Sequence, residues 1–257
     1  MNLYQHFREE ERAFVDYVLQ WVQEVENQYA PRLTDFLDPR QQFIVTSIVG
    51  NREDILIAFG GGSEQSERKR CLLYPSYFEP QTDDYQTALF SVSYQRKFIT
   101  LEHRQMLGSL MSLGIKREKF GDIVLRNGDI QFFAVKELAS YIEMNLTHIG
   151  KAGVKVTSLP PEEAITADEE WVEVVKTASS LRLDVVLSTV INMSRSKAQS
   201  LITSGKVKVN WQEIESVSFT CDTGDVLSIK GFGRVKILSL DGKTKREKWR
   251  MTAGFLK

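Results

Sequence analysis

The sequence predicts an α+β fold in three units: an N-terminal α/β unit, a central βαββαβ unit, and a C-terminal module of two short helices with a small sheet. Three observations predict it. Between residues 87 and 159 the apolar spacing switches between the helical period of 3.6 and the strand period of two, in the order β-α-β-β-α-β. The stretch PPEEAITADEE (160–170) then combines Pro-Pro with an acidic run and no apolar period. Finally, residues 1–175 hold 18 Lys and Arg against 27 Asp and Glu, a net −9, whereas residues 176–257 hold 15 against 7, a net +8. The expected boundaries are therefore 1–78, 79–159, an acidic linker at 160–175, and a basic domain with a basic tail at 176–257.

In the first unit Phe14, Val18, Trp21, Val22 and Val25 recur at helical spacing with charged flanks, an amphipathic helix. A second helix starts after Asp38-Pro39, Asp serving as cap and Pro as the first helical residue, and runs to Gly50. ILIAF (55–59) reads as a buried strand. Gly60-Gly61-Gly62-Ser63 lacks the Lys-Ser/Thr of a phosphate loop and reads as a turn.

The central unit opens with the strand TALFSVSY (87–94) and the helix at 101–115. FGDIVLR and DIQFFAV flank Asn127-Gly128, two residues that tolerate positive φ, so the pair predicts a hairpin. A helix at 135–146 and the strand VKVTSL (154–159) complete a ferredoxin-like or RRM-like order. That scaffold hosts RNA binding among many functions. Phe132 and Phe133 are the candidates for base stacking on such a sheet, with core packing the alternative for both.

Composition narrows the chemistry. No window reaches the roughly 18 uninterrupted apolar residues of a membrane span, and MNLYQHFREEERAF is too charged for a secretory signal, so a cytoplasmic protein without a membrane span is expected. Cys71 and Cys221 have no partner at metal-ligand spacing, and His6, His103 and His148 are scattered. No catalytic residues, no metal and no cofactor are expected.

The basic module carries the informative chemistry. Leu183, Val186, Leu187, Val190 and Ile191 form one apolar stripe over a short helix at 182–191, which Asn192 breaks. Ser194 caps a second helix that buries Ala198, Leu201 and Ile202, and Gly205 occupies the position of a left-handed cap. Val207 and Val209 alternate with Lys206 and Lys208 in a strand, and Thr223-Gly224-Asp225 turns the chain into VLSI ahead of a glycine-flanked hairpin. Arg195 and Lys197 stand in the first turn of the second helix, where cations oppose the helix dipole but an anionic ligand would gain from backbone N–H groups and cations together. With Arg182, Ser194, Ser196, Gln199, Asn210 and Arg234, and with Lys236 as an extension, they outline a track for a polyanion, and counterion release would make its binding salt-dependent.

RLD at the first helix start, SRSKAQSLI at the second, GKVKVN and TGDVLSI together resemble the S-four type RNA-binding domain over residues 181–238. The family pattern has Gly after the Asn of VN. Trp211 stands there instead, which sets a positive-φ turn against the sterics of a side chain and offers a stacking surface for a base. EEERAFVDYV, LGSLMSLGIKREKFGDI (107–123) and NGDIQFFAVKELASYI (127–142), ahead of this module, resemble the bacterial YlmH family along nearly the whole chain. That resemblance implies an RNA-binding central domain, with Lys116, Arg117 and Lys119 as its phosphate contacts. It also implies binding to rRNA or tRNA on the large ribosomal subunit, rescue of obstructed peptidyl-tRNA complexes, and a link to cell division with a division-protein partner. Two other readings stand beside it. One is an RNA-modifying enzyme that uses the S-four module for delivery, although RLD, which resembles the surroundings of a pseudouridine-synthase Asp, here starts the binding helix. The other is a division adaptor whose acidic part binds protein.

Overall fold

The computed structural model describes residue 7 and residues 9–256 apart from 51, 98 and 167–170, and for Glu10 the backbone alone. His6 and residues 167–170 of the expected linker lie outside the described residues. The chain forms two compact units, Met1–Asp168 and Glu169–Lys257.

In the first unit, α1 (Arg12–Gln28) buries Val15, Val18, Val22 and Val25 along one stripe, and Tyr29 ends it with φ +48. Helix α2 (Pro39–Val49) starts as its sequence requires: the Asp38 carboxylate accepts from the Gln41 N–H, while Gln41 Oε1 accepts from the Asp38 N–H. Strands β1 (Arg32–Leu37), β2 (Ile55–Gly60) and β3 (Lys69–Pro75) form an antiparallel sheet in the order β1-β3-β2. The expected buried strand β2 is thus an edge strand, with Ile55 its one fully buried residue. The centre belongs to β3, whose Cys71 and Leu73 pack with Val18, Val22, Val45 and Val49.

The central part of this unit follows the expected order. Strands β4 (Thr87–Tyr94), β5 (Phe120–Arg126), β6 (Asp129–Val135), β7 (His148–Ile149) and β8 (Ala152–Leu159) form an antiparallel sheet ordered β5-β6-β4-β8-β7. Asn127 and Gly128 make the β5–β6 turn with φ +51 and +83. Helices α3 (His103–Ser112) and α4 (Ala139–Asn145) close one face around Phe90, Phe120, Phe132, Met106, Leu110 and Ile142. The opposite face is covered too: Phe36 of β1 packs with Leu89, Phe133 and Val135. Gly121 makes that approach possible, because a Cβ there would stand 2.8 Å from the Phe36 ring and 2.9 Å from Phe133 Cβ. Part of the expected linker also belongs here. The Gln131 side chain donates to Glu163 O and accepts from Ile165 N–H, and Ala164 joins the Phe36 cluster.

In the second unit, α5 (Leu183–Val190) and α6 (Arg195–Thr203) pack on one face of a six-stranded sheet. Its strands are β9 (Trp171–Ala178), β10 (Val207–Val209), β11 (Gln212–Glu213), β12 (Val226–Ile229), β13 (Gly233–Lys243) and β14 (Trp249–Leu256), in the order β11-β10-β12-β13-β14-β9. Two expectations are corrected by these pairings. Residues 171–175 are not linker: they are the start of β9, paired with β14 from Trp171↔Leu256 to Ala178↔Trp249. The basic tail is likewise not a tail, since β14 lies between β13 and β9 with Met251 and Ala253 fully buried.

Candidate nucleic-acid interface

The site is built on α5 and α6. Arg182 is the N-cap of α5, and Asp184 in its first turn suits the helix dipole. Asn192, at φ +52, turns the chain out of α5, and Ser194 Oγ accepts a long 3.4 Å bond from the Lys197 N–H at the start of α6. This brings Arg195 back over Asp184.

Asp184 is fully buried and is the centre of the arrangement. Its Oδ2 accepts from Arg195 Nε at 2.8 Å and Gln199 Nε2 at 2.8 Å, and its Oδ1 from Arg182 Nε at 3.1 Å. Burial alone would raise its pKa, but the hydrogen bonds from Arg182, Gln199 and Arg195 and the Arg195 charge hold it down at about 2. One carboxylate therefore faces two guanidinium groups. The excess positive charge points outward, since the Arg182 and Arg195 side chains stay 40% and 55% exposed. Arg195, in the first turn of α6 where a cation is unfavourable to the helix dipole, has a partner within the fold. The buried carboxylate explains its position, and the solvent-facing charge is what remains after pairing.

Ser194, Ser196 and Lys197 are exposed beside this cluster. At the other end of α6, about 14 Å away for nine residues at 1.5 Å each, Gly205 adopts φ +66 and releases the chain into β10. Lys206 and Lys208 are exposed there, with Val207 and Val209 buried between them as the alternation requires. Together with Lys230 and Arg234 they line an open cleft of about 340 Å³. Lys230 was missed in the sequence. So was Phe232, which is 50% exposed at the tip of the glycine-flanked β12–β13 turn.

Two expected contacts have structural duties. The Asn210 amide donates to Asp225 Oδ1 at 2.8 Å and accepts from Val226 N–H at 2.9 Å, fixing the turn. Gln199 is half-buried on Asp184. The turn at Asn210-Trp211 is a positive-φ turn after all, at +49 and +65, although a tryptophan occupies it.

In the first unit the expected contacts are mostly engaged internally. Arg117 Nη1 donates to Phe120 O at 2.6 Å and Gly121 O at 3.3 Å, and burial, reinforced by the charge of Arg68, lowers its pKa to about 10. Lys119 Nζ lies 2.9 Å from both Asp35 and Glu137 carboxylates. Lys116 is exposed. Phe132 and Phe133 are both buried, one under the helices and one under Phe36, so neither offers a ring to a base. Cys71 and Cys221 are buried, which raises both thiols, Cys221 to about 12, and leaves neither a nucleophile at neutral pH. No described helix is long and apolar enough to cross a membrane.

A two-helix module on an antiparallel sheet, with cations at both ends of its second helix, is the arrangement of an S4-type RNA-binding protein. Three family models match in sequence: "YlmH, N-terminal" over residues 10–78, "Putative RNA-binding domain in YlmH" over 80–163, and "S4 domain" over 181–227. The chain is 43% identical over 258 residues to the ribosome-associated protein quality control protein P2 of Bacillus subtilis (strain 168), covering 98% of this chain and 97% of that protein. A solved structure named cell division protein ylmH from Streptococcus pneumoniae is similar with a TM-score of 0.55 and 34% identity, covering 63% of this chain and 99% of that one. The chain belongs to the YlmH family.

Proposed function

We propose that this chain is a non-enzymatic, cytoplasmic ribosome-associated factor that binds rRNA or tRNA on the large subunit and acts in the rescue of obstructed peptidyl-tRNA complexes. The observation that carries this reading is the Asp184-centred pair of arginines. A buried carboxylate preorganises two half-exposed guanidinium groups, a geometry suited to phosphate oxygens. Lys197, Lys206, Lys208 and Arg234 extend the contact along the RNA backbone. The name of the Bacillus relative supports the ribosomal setting.

Sedimentation of the tagged protein through a sucrose gradient, at low and high salt, tests the proposal. The wild type is expected with large subunits at low salt, and the double variant R195A/K197A at the top of the gradient. Wild type remaining at the top at low salt would refute ribosome association. A link to cell division is supported by the name of the streptococcal neighbour. It would involve the first unit, where Tyr17, Tyr29, Phe43 and Tyr77 are exposed.

A further inference from the structure

The second unit has a face that the helices leave open. Val207, Val209, Leu227, Ile229, Val235 and Ile237 face the helices and are buried. The residues between them therefore point the other way. Registration aligns Lys208, Ser228 and Arg234 across β10, β12 and β13, and Lys236 follows two residues on along β13. Lys236 is opposite Gly254, and the Trp171 side chain fills the space over that glycine, its Cβ 2.9 Å from where a Gly254 Cβ would stand.

Two indoles thus share this face with two cations. The Arg234 guanidinium lies 5.8 Å from the Trp211 ring centroid, and Lys236 Nζ lies 5.9 Å from the Trp171 ring centroid. Both tryptophans are partly exposed. Among the described residues, the pairings place the acids Glu213 and Glu173 of this face on its edge strands β11 and β9.

Trp211 is the more informative residue. It holds φ +65 in a two-residue turn, a conformation that strains any bulky side chain and that glycine adopts freely. The core closed by the helices draws on neither indole. The strained backbone thus presents a ring to solvent beside a guanidinium instead of filling the interior.

We propose that this open sheet face binds unpaired RNA bases, stacked on Trp211 and Trp171, with Arg234 and Lys236 pairing with the intervening phosphates. It extends the cleft lined by Lys208 and Arg234 away from the α5–α6 cluster, and it takes in β9 and β14, which lie outside the S4-matched residues. Stacking on an aromatic ring accepts any base, so the site selects single-stranded over paired RNA without reading sequence. The inference rests on the RNA-binding reading of the module.

The test compares full-length wild type, W211G, W171F and W171L by fluorescence anisotropy. The probes are a short oligouridylate, an abasic oligomer with the same backbone charge, and a blunt RNA duplex. Wild type is expected to prefer the oligouridylate to the abasic oligomer by about tenfold or more, and W211G and W171L each to lose about tenfold for the oligouridylate alone. W171F retains most of the affinity. W211G melts no lower than wild type, because glycine relieves the turn, so its loss of binding cannot come from unfolding. Equal binding of the abasic oligomer and oligouridylate, or full affinity in W211G and W171L, overturns the proposal. Oligouridylate binding that depends on Arg195 and Lys197 but ignores both tryptophans would sink the stacking face and leave the α5–α6 site standing. Loss of binding to all three probes by wild type would remove both.

Discussion

Arg68, Arg70 and Arg117 of the first unit and Arg182 and Arg195 of the second are held in opposite ways. In the first, Arg70 is buried and donates to the carbonyls of Thr34, Tyr85 and Gln86, Arg68 donates to those of Phe36 and Phe120, and Arg117 caps Phe120 and Gly121. Burial lowers the pKa of all three, to about 10 for Arg117. In the second, Arg182 and Arg195 are half-exposed around a fully buried Asp184. One unit uses guanidinium groups to satisfy backbone oxygens in its interior. The other buries the carboxylate and turns the guanidinium groups to solvent.

Substitutions that exchange the two situations should have separable effects. The largest is expected for Asp184→Asn, which removes the anion that positions Arg182, Arg195 and Gln199. The second unit should lose roughly 2–4 kcal/mol of stability, and RNA affinity should fall more than tenfold, measured by chemical denaturation and anisotropy. Arg70→Met tests the contrast: it strands three carbonyl contacts and should cost the first unit about 2–3 kcal/mol, with RNA affinity unchanged. Affinity falling with Arg70→Met would break the comparison.

Next in size is the acid response. Asp184 is held at about 2, below its unfolded value of 3.8, so its stabilisation is complete above the unfolded value and is lost as pH falls through about 2. The difference corresponds to roughly 2 kcal/mol at about 1.4 kcal/mol per unit. Denaturant melts between pH 5 and pH 2 should show this loss in wild type and not in Asp184→Asn. The smallest effect is expected for Lys116→Ala, which removes one exposed cation of the first unit and should change RNA affinity less than twofold.

Legibility in the sequence followed the range of the interactions. Asn127-Gly128, Asp38-Pro39, Ser194 and Gly205 act on neighbours a few residues away, and each marks an element boundary in the structure. Strand β1 escaped notice because a bulge between Leu33 and Phe36 breaks its alternation and buries the polar Thr34, whose hydroxyl accepts from the Cys71 N–H. Strand β3 begins Lys69-Arg70, which reads as loop until three distant carbonyls are brought to Arg70. Strands β9 and β14 pair residues as far apart as Trp171 and Leu256, a relation with no local signal, and the charges of 243–250 imitate a solvated tail. In the candidate site the exposed lysines were legible from alternation. The role of Asp184 was not, because RLD places its acid in an ordinary first-turn position and only the fold returns Arg195 and Gln199 to it.

Phosphate contacts from the second unit would tie the salt dependence of RNA binding to its cations. The slope of log affinity against log salt tests this link most directly, with full-length protein and a structured RNA, in wild type, R195A/K197A, K206A/K208A and K119A. Each lost phosphate contact should lower the slope by about 0.7–0.9. A decrease of more than one is expected for each of the two double variants and none for K119A. A slope that stays at the wild-type value in both double variants, or falls in K119A alone, would contradict it.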